Sequence, residues 1–478
     1  MPSRQNLFKW VALFLVAVLA AYLTFYKLGS SFLENWDEAW VGEAVREMIR
    51  RGEPVVLYWN KTVWLDKPPL YFWLSSISSQ LLGLSEFSLR LTSALAGLIL
   101  IIWVWQYTYR EYHLLPALLA FSSLALNNIF IWRARSGNLD LLASLLIFAT
   151  YFVILSKHKQ KYLLLGFLLA LIYLTKASLV FFPLGVLFLH EFLFNRPNIK
   201  RNLKEYLKLF LLLLIIPGIW LFLGWQKVGS DFPNYYLFWS DQGAANLSLS
   251  NFKTDYLWYA YYSLQRRFFW VLILGAIFLL RKMTQPKLFL LLLYGFLLLV
   301  ELSFAEKRNN WYLVPLMPFW AIIIAEGASG FLNLFKNRAL YLAAALSVVI
   351  LSGYVSYKTY LINIRSIINS EGPAAQAQLG VILNKITQPE EIIVRVDHLY
   401  PATIYYSDRR VLSSPENAET RDYFISRKDL LAKIRTGKIK WLTGKKDDLN
   451  YFVKTLGNVE WLLIAQERDE QVLSFKAE

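Results

Sequence analysis

The segment Trp36-Asp37-Glu38 places two adjacent carboxylates where an amphipathic helix is expected to begin. After Asp37, apolar residues recur every four positions and charged residues fill the opposite face, which predicts a helix lying on a membrane surface. Asp37 stands at the expected N-cap and Gly52 at the expected end. The positive end of a helix favours an ionised carboxylate. Asp37 therefore suits a general base, although a cap alone would use the same residue.

A second motif, Asp66-Lys67-Pro68-Pro69, joins a carboxylate and a lysine to two prolines. The prolines would fix the start of the next helix and so hold Lys67 where a lipid phosphate lies at a membrane surface. The alternative is a lysine that merely extends its ammonium group to the interface. Asp66 could be a helix cap, a salt-bridge partner of Lys67 or a metal ligand.

Other polar residues stand at the ends of otherwise apolar segments, where charge is costly and points to function. The short stretch from Arg133 to Asp140 is one case, although its arginines could instead contact lipid phosphates with Asp140 as their counter-ion. Two further outer loops carry cations at the membrane edge, Arg266 in one and Lys307 with Arg308 in the other, and a bound anion would explain them. The predicted phosphate ligands are Lys67, Arg266, Lys307 and Arg308. The predicted sugar or acceptor contacts are Trp36, Arg135, Asn138 and Tyr312.

Long apolar runs must position these side chains. The chain has 478 residues, of which 56% are hydrophobic and 18% charged, against about 25% charged in soluble domains. Several runs approach the roughly 20 residues that cross a bilayer. We therefore predict a mainly α, polytopic bundle of about 11 spans. These are 7–26, 88–109, 114–131, 139–156, 162–176, 177–194, 207–226, 267–281, 288–304, 311–326 and 339–357.

The charge distribution predicts topology and domains. Lys and Arg exceed Asp and Glu by 14 in residues 1–357 and by 2 in residues 358–478. The positive-inside rule places the basic loops and the N-terminus in the cytoplasm and the other loops outside, in a bacterial inner membrane. Residues 1–357 would form the transmembrane catalytic domain, with 28–87 as its first outer loop. Residues 358–478 alternate strand-like and helical runs, which predicts a small extracytoplasmic α/β domain.

Several classes of function are disfavoured. The absence of Cys excludes disulfides, thiolate catalysis and Cys-ligated zinc. The four His residues are scattered, which argues against a His-rich metal site or a Ser-His-Asp triad. No Gly-rich phosphate loop follows a strand, so soluble nucleotides are poor substrates. Basic residues alternate with the spans, which indicates insertion topology and anionic membrane lipids rather than nucleic acid.

Five motifs in order resemble the GT-C glycosyltransferases, and most closely the branch of the lipid A aminoarabinose transferases and protein O-mannosyltransferases. The resemblance covers roughly residues 1–330, without a β-trefoil insertion and with fewer C-terminal spans than the aminoarabinose enzymes. The motifs are Trp36-Asp37-Glu38, Asp66 to Leu70, Arg90 to Leu95, Arg133 to Asp140 and Lys307 to Pro318.

The resemblance implies a sugar donor carried on a polyprenyl phosphate, with Asp37 as the catalytic base and Lys67 as the phosphate-binding lysine. Asp140 matches a second-loop acid that shapes the site, and Asp66 an acid that binds metal in some members. We expect inverting transfer to a hydroxyl of a glycolipid, polysaccharide or protein. Glu38 and Asp140 would orient the substrates. Asp66 and Asp140 could hold a divalent metal ion, and we expect no other cofactor.

Two alternatives remain open at this point. A transporter or lipid flippase would need polar groups near the middle of the bilayer, whereas these spans are almost purely apolar and their charges gather at the ends. A polymerase or ligase that uses lipid-diphosphate donors would have the same sequence features. Only the chemistry of the donor separates it from a transferase that uses polyprenyl-phosphate sugars.

Overall fold

The computed structural model describes residues 4–239, 252–264, 266–306, 308–414, 423–456 and 460–475. The chain divides into two compact units. This partition differs from the predicted boundary at residue 358, because it groups most of the first outer loop with the C-terminal residues. The first unit is Met1–Leu28, Leu65–Tyr71 and Arg90–Asn369, and the second is Gly29–Trp64, Phe72–Leu89 and Ser370–Glu478.

Helices dominate the part of the chain before the C-terminal domain. In chain order they are α1 Arg4–Phe25, α2 Asp37–Arg51, α3 Leu70–Leu82, α4 Glu86–Tyr112, α5 Leu114–Ala125, α6 Asn128–Ala134, α7 Asp140–Leu155, α8 Lys161–Thr175, α9 Phe181–Phe194, α10 Leu203–Val228, α11 Asp255–Ser263, α12 Arg267–Leu280, α13 Pro286–Ser303, α14 Met317–Leu332 and α15 Arg338–Thr359. Shorter helical turns are Ala177–Val180, Arg196–Asn198, Asp231–Asn234, Tyr235–Trp239, Asn310–Leu316, Tyr360–Ile364 and Arg365–Ile368.

The predicted membrane spans all correspond to helices. Among the described residues, six helical segments are long and apolar enough to cross a membrane, or up to eight if two bent pairs each form one span. The pairs are α5 with α6 and α11 with α12, and three shorter apolar helices lie at Lys9–Phe25, α7 and α8. The prediction of a polytopic helical membrane protein is confirmed.

Close backbone packing sets the centre of the first unit. The most apolar 18-residue stretch of Asn310–Leu332 is 89% buried, whereas that of Arg338–Ile368 is 6% buried. Helix α14 is therefore central in this unit and α15 is peripheral. A Cβ atom at Gly275 would collide with the carbonyl oxygen of Ile323 on α14. Small residues let two helix backbones approach in this way where lipid offers no hydrophobic driving force.

A five-stranded sheet forms the centre of the second unit, in the order β4-β3-β5-β7-β6. The strands are β1 Tyr58–Trp59, β2 Thr62–Val63, β3 Ile392–Arg395, β4 Arg410–Ser413, β5 Trp441–Lys445, β6 Trp461–Glu467 and β7 Glu470–Phe475, and the helices are α16 Ala374–Ile386, α17 Pro401–Ser407, α18 Arg427–Arg435 and α19 Lys446–Leu456. β3 is parallel to β4 and β5, and β7 is antiparallel to β5 and β6. β1 and β2 form a separate antiparallel pair.

Helices pack on both faces of this sheet. Leu379 of α16 and Ile404 of α17 contact one face, and Leu430 of α18 and Phe452 of α19 contact the other. The predicted small α/β domain is confirmed. Helix α17 and strand β4 are additions to the prediction.

Helix α2 follows the predicted pattern with two corrections. Asp37 is its first helical residue, and Trp36 occupies the N-cap with φ 66°, so the predicted cap position is wrong by one residue. Gly52 ends the helix, as predicted, in a left-handed conformation, and its N–H donates to the carbonyl of Ile49. The second correction concerns the charged face, because Glu43 and Glu47 are buried rather than facing water.

Candidate active site

A short turn between α6 and α7 in the first unit brings Asp140 to the start of a helix. Its geometry comes from Asn138, whose Oδ1 accepts from the backbone N–H of Asp140 at 2.9 Å. The Asn138 amide also donates to the carbonyls of Arg133 at 2.6 Å and Ser136 at 2.9 Å. Through these hydrogen bonds Asn138 stabilises the turn. Its predicted role was contact with the sugar or the acceptor.

Asp140 is buried among cations. Its Oδ2 accepts from Arg133 Nε at 2.8 Å and Nη2 at 2.6 Å. Lys176 Nζ lies 3.6 Å from its Oδ1, and the ammonium group of Lys67 also acts on it electrostatically. Three cations face the two carboxylates of Asp140 and Asp66, the partner of Lys67, and so leave a net positive charge. Such a cluster attracts an anion, and most strongly where water is scarce.

Aromatic rings adjoin the same cations. Lys176 Nζ lies 4.4 Å from the ring centre of Tyr312, and the Arg133 guanidinium lies 5.3 Å from that of Trp311. The rings of Trp132 and Trp311 meet edge to face at 5.8 Å. Aromatic faces beside cations suit a sugar phosphate, since the C–H surface of a sugar packs on a ring while its phosphate pairs with the charges.

The Asp66-Lys67 pair is part of the first unit too. Lys67 Nζ lies 3.4 Å from Asp66 Oδ2, so of the three roles considered for Asp66 the structure shows the salt bridge. Tyr235 donates to the other carboxylate oxygen at 3.4 Å, and Tyr236 donates to the Lys67 carbonyl at 3.0 Å. Both side chains of the pair keep some exposure, so Lys67 can still meet a ligand.

The other predicted cations lie in different surroundings. Arg135 donates to the carbonyls of Leu23, Thr24 and Tyr26, and so satisfies the end of α1. Arg308 Nε lies 3.4 Å from Asp255 Oδ2. Arg266 is exposed with its guanidinium 5.2 Å from the ring centre of Tyr262. Lys307 lies outside the described residues.

Lys176 and Arg133 complete the cluster and were not among the predicted ligands. Lys176 ends α8 in an extended conformation before the short turn Ala177–Val180. A single charge between two apolar runs was the available signal. In the sequence, Lys176 marks only the break between two predicted spans.

Asp37, Glu38 and Trp36 belong to the second unit. Glu38 is buried, and its Oε2 accepts from the backbone N–H of Glu34 at 2.8 Å, which closes the turn before the helix. Trp36 is 47% exposed and meets Trp40 edge to face at 5.5 Å. Asp37 lies in the first turn of α2, together with Glu38.

The second unit also holds seven charged residues in contact, which we call the Glu43 network: Glu43, Arg46, Glu47, Arg50, Arg51, Lys61 and Asp408. Burial opposes ionisation of Glu47 and Asp408, but hydrogen bonds from Lys61 to both, from Arg51 to Glu47 and from Arg50 to Asp408 lower the pKa of each carboxyl group. Burial raises the pKa of Glu43 despite its contact with Arg46.

Metal binding fits these acids poorly. Within the described residues, the three acids close enough to share an ion are Glu43, Glu47 and Asp408. Both carboxylate oxygens of Glu47 and of Asp408 already accept from arginine or lysine. Asp66 and Asp140, the predicted metal pair, are likewise engaged by cations. Their cationic neighbours favour ion pairing over a metal ion.

Comparison with known proteins agrees with this architecture. Residues 66–225 match the family model for dolichyl-phosphate-mannose-protein mannosyltransferase. An uncharacterized protein from Aquifex aeolicus (strain VF5) is 26% identical over 73% of this chain and 70% of its own length. An undecaprenyl phosphate-alpha-4-amino-4-deoxy-L-arabinose arabinosyl transferase from Yersinia pestis (strain Pestoides F) is 25% identical over 70% of this chain. The match covers 62% of that transferase.

Solved structures share the whole fold. Crystal structures of ArnT from Cupriavidus metallidurans superimpose with a TM-score of 0.78 in the apo state and 0.77 when bound to undecaprenyl phosphate. Each covers 98% of both chains, at 15% and 17% identity. The family model, the relatives and the fold agree with the motifs. The chain is thus similar in sequence to the mannosyltransferase family model and to an aminoarabinose transferase, and it has the fold of ArnT.

Proposed function

We propose that this protein moves a sugar from a polyprenyl phosphate to a hydroxyl acceptor. The observation that carries the proposal is the group of cations around Asp140, with Lys176 beside Tyr312 and Arg133 beside Trp311. A sugar phosphodiester needs positive charge where its phosphate leaves and an apolar face where its sugar rests. The transferases among the relatives support undecaprenyl phosphate as the lipid carrier.

In the proposed reaction, the acceptor hydroxyl attacks the anomeric carbon of the sugar. A new carbon–oxygen bond forms while the bond to the phosphate oxygen breaks, and the electron pair of that bond leaves with the lipid phosphate. Asp37 accepts the hydroxyl proton, and the configuration at the anomeric carbon inverts. General-base help of this kind contributes about 10²- to 10⁴-fold.

The departing phosphate acquires negative charge, and cations lower that cost. Lys67, Lys176 and Arg133 are our first choices for this task, and Arg266, Lys307 and Arg308 remain predicted ligands from the sequence. Trp36 and Tyr312 would contact the sugar or the acceptor. A phosphate is already a good leaving group, which explains one base and several cations without an acid catalyst.

The positive-inside rule places this reaction at the outer face of a bacterial inner membrane, with a cytoplasmic N-terminus. A cysteine introduced at position 158, in a basic loop, should resist a membrane-impermeant maleimide in intact spheroplasts. A cysteine introduced at position 447 should react. The native chain has no cysteine, so each signal would report one site. The reverse pattern would invert the proposed topology.

Purified protein incubated with a panel of polyprenyl-phosphate sugars tests the activity directly. Mass spectrometry should detect free polyprenyl phosphate and a glycosylated hydroxyl acceptor. Turnover of lipid diphosphates alone would instead identify a polymerase or ligase. Movement of the intact lipid between leaflets, without release of polyprenyl phosphate, would identify a flippase.

Asp37→Asn should lower kcat by about 10²- to 10⁴-fold, because the amide cannot accept the hydroxyl proton. Circular dichroism and thermal unfolding should remain close to those of the native protein. Asp447→Asn is a matched control, because Asp447 is also an acid in the first turn of a helix of the second unit. Full turnover by Asp37→Asn would reject Asp37 as the base.

A further inference from the structure

Helix α2 carries Asp37, and the chain just before it is attached to helix α17. Asn35 Oδ1 accepts from the backbone N–H of Ala402 at 3.0 Å. The backbone N–H of Leu33 donates to the Tyr406 hydroxyl at 2.8 Å, and that hydroxyl donates to Glu86 at 2.8 Å. Asn35 is two residues from Asp37, so this contact fixes the entry of the chain into the helix.

A second attachment lies at the middle of α2. A Cβ atom added at Gly42 would lie 2.7 Å from Leu33 Cδ1 and 3.0 Å from the ring of Tyr405, so α2 and α17 approach closely at this glycine. Arg46 Nη1 donates to the Tyr405 carbonyl at 2.6 Å, and its guanidinium lies 4.7 Å from the ring centre of the same residue. One residue of α17 therefore contacts two successive turns of α2.

The third attachment lies at the end of α2. Asp408 follows α17 in a left-handed conformation with φ 51°. Its carboxylate accepts from Arg50 Nη2 at 2.6 Å and from Lys61 Nζ at 2.9 Å. Asn60 exchanges two hydrogen bonds with the backbone of Val411 on β4, at 2.7 and 2.9 Å.

From these contacts we propose that residues 402–411 position helix α2 and, through it, the carboxylate of Asp37. Asp408 and Asn35 are the positioning residues that we single out. Attachments before the helix, at its middle and at its end fix both its axis and its rotation about that axis. The inference rests on the proposed function of Asp37 and gives the C-terminal domain a task in catalysis.

The catalytic consequence follows from geometry. A base displaced by about 1 Å can lose on the order of 10²-fold in rate. Loss of one attachment should therefore lower kcat without weakening donor binding, because the cations of the first unit remain. A residue with a merely structural role would instead lower the amount of folded protein and leave kcat per folded molecule unchanged.

Two variants test the proposal in the full-length protein. Asp408→Asn removes the charge but keeps the backbone, since Asn tolerates the left-handed region. Asn35→Ala removes the acceptor for the Ala402 N–H. The matched control is Ser426→Ala, which deletes the helix cap that Ser426 provides to Asp429 in α18. That control weakens the same domain through contacts that do not involve α2.

The first readout is hydrogen exchange of the backbone amides in residues 37–51. Each test variant should raise these exchange rates by on the order of tenfold relative to the native protein, and Ser426→Ala should not. The second readout is the steady-state rate with any polyprenyl-phosphate sugar that the native protein uses. We expect kcat to fall by on the order of 10- to 100-fold and the donor KM to change by less than about twofold.

The outcomes separate the two proposals. Unchanged exchange in α2 for both test variants would overturn the positioning role. So would a fall in kcat no larger than that of Ser426→Ala. If the native protein turns over no donor, the proposed function fails, while the exchange measurement still decides whether residues 402–411 hold α2.

Discussion

Lys176 shows what a single residue adds to the predicted site. Asp140 and Tyr312 were predicted from charge and aromatic character at the ends of apolar runs. The structure adds Lys176 to both, at 3.6 Å from the carboxylate and 4.4 Å from the ring centre. A lysine between two spans resembles a loop residue in sequence. Only the packing of α8 beside α7 shows that it faces Asp140.

If Lys176 binds the donor phosphate as proposed, Lys176→Gln should weaken binding of undecaprenyl phosphate by about 10- to 100-fold, because a charge-assisted hydrogen bond contributes about 1.5–3 kcal/mol. Titration of the lipid phosphate against tryptophan fluorescence measures the Kd. Lys208→Gln is the control, since Lys208 forms an exposed pair with Glu205. Equal Kd values for the native protein and Lys176→Gln would remove Lys176 from the phosphate site.

Arg135 shows, at the same scale, a contact that the sequence did not predict. Its position beside Asn138 and Asp140 predicted contact with sugar or acceptor. Its hydrogen bonds go to backbone carbonyls at and just after the end of α1, more than 100 residues earlier in the chain. Sequence identifies a buried arginine as costly and therefore purposeful, but it does not tell a ligand from a carbonyl as the partner.

At the scale of elements, local patterns predicted most helices and strands. Apolar length located the spans, and the left-handed Gly52 ended α2 as expected. Helix α17 and strand β4, of seven and four residues, were not predicted. The burial of Glu43 and Glu47 was not predicted either, since a charged helix face normally indicates water.

Gly275→Ala should destabilise the protein by roughly 1–3 kcal/mol, because the new methyl group meets the Ile323 carbonyl and forces α12 away from α14. Thermal unfolding in detergent measures the change. Gly185→Ala in α9 is the matched control, because its added Cβ meets no atom within 4 Å. Its Tm should stay the same or rise slightly, since Ala favours helix. Equal Tm values for both variants would argue against close packing of α12 and α14.

At the scale of the whole molecule, the sequence predicted a membrane bundle and a small α/β domain, and both are present. It did not predict that most of the first outer loop belongs to the same compact unit as the C-terminal residues. Long-range contacts hold these residues together, such as the hydrogen bond from Arg50 to Asp408, which are 358 positions apart in the chain. Periodicity and caps describe neighbours along the chain, so no local pattern reports such a pairing.

The Glu43 network should give the second unit a characteristic dependence on pH. The pKa of Asp408 is lowered in the fold, so its contribution is present above the unfolded value of about 3.9 and is lost in stronger acid. Asp408→Asn should therefore cost about 1–2 kcal/mol from pH 8 to 5, and less below about pH 4. Thermal unfolding at several pH values measures this.

Glu43→Gln is the matched variant in the same network, with the opposite sign. The raised pKa of Glu43 means that its charged form is disfavoured in the fold, so stability falls as pH rises through that pKa. Removing the charge should leave stability unchanged or increase it at neutral pH. Destabilisation by Glu43→Gln as large as that by Asp408→Asn would contradict the assigned direction.

The long separation between α2 and its partner has a consequence during synthesis. Ribosomes add about 5–20 residues per second, so Arg50 emerges roughly 20–70 s before Asp408 exists. Until then α2 can pack on earlier residues such as Leu33 and Trp59, but Arg46 and Arg50 lack their partners Tyr405 and Asp408. The nascent protein therefore passes through a period in which its apolar helices can insert before α2 has all its partners, and the second unit is completed only in the last quarter of translation.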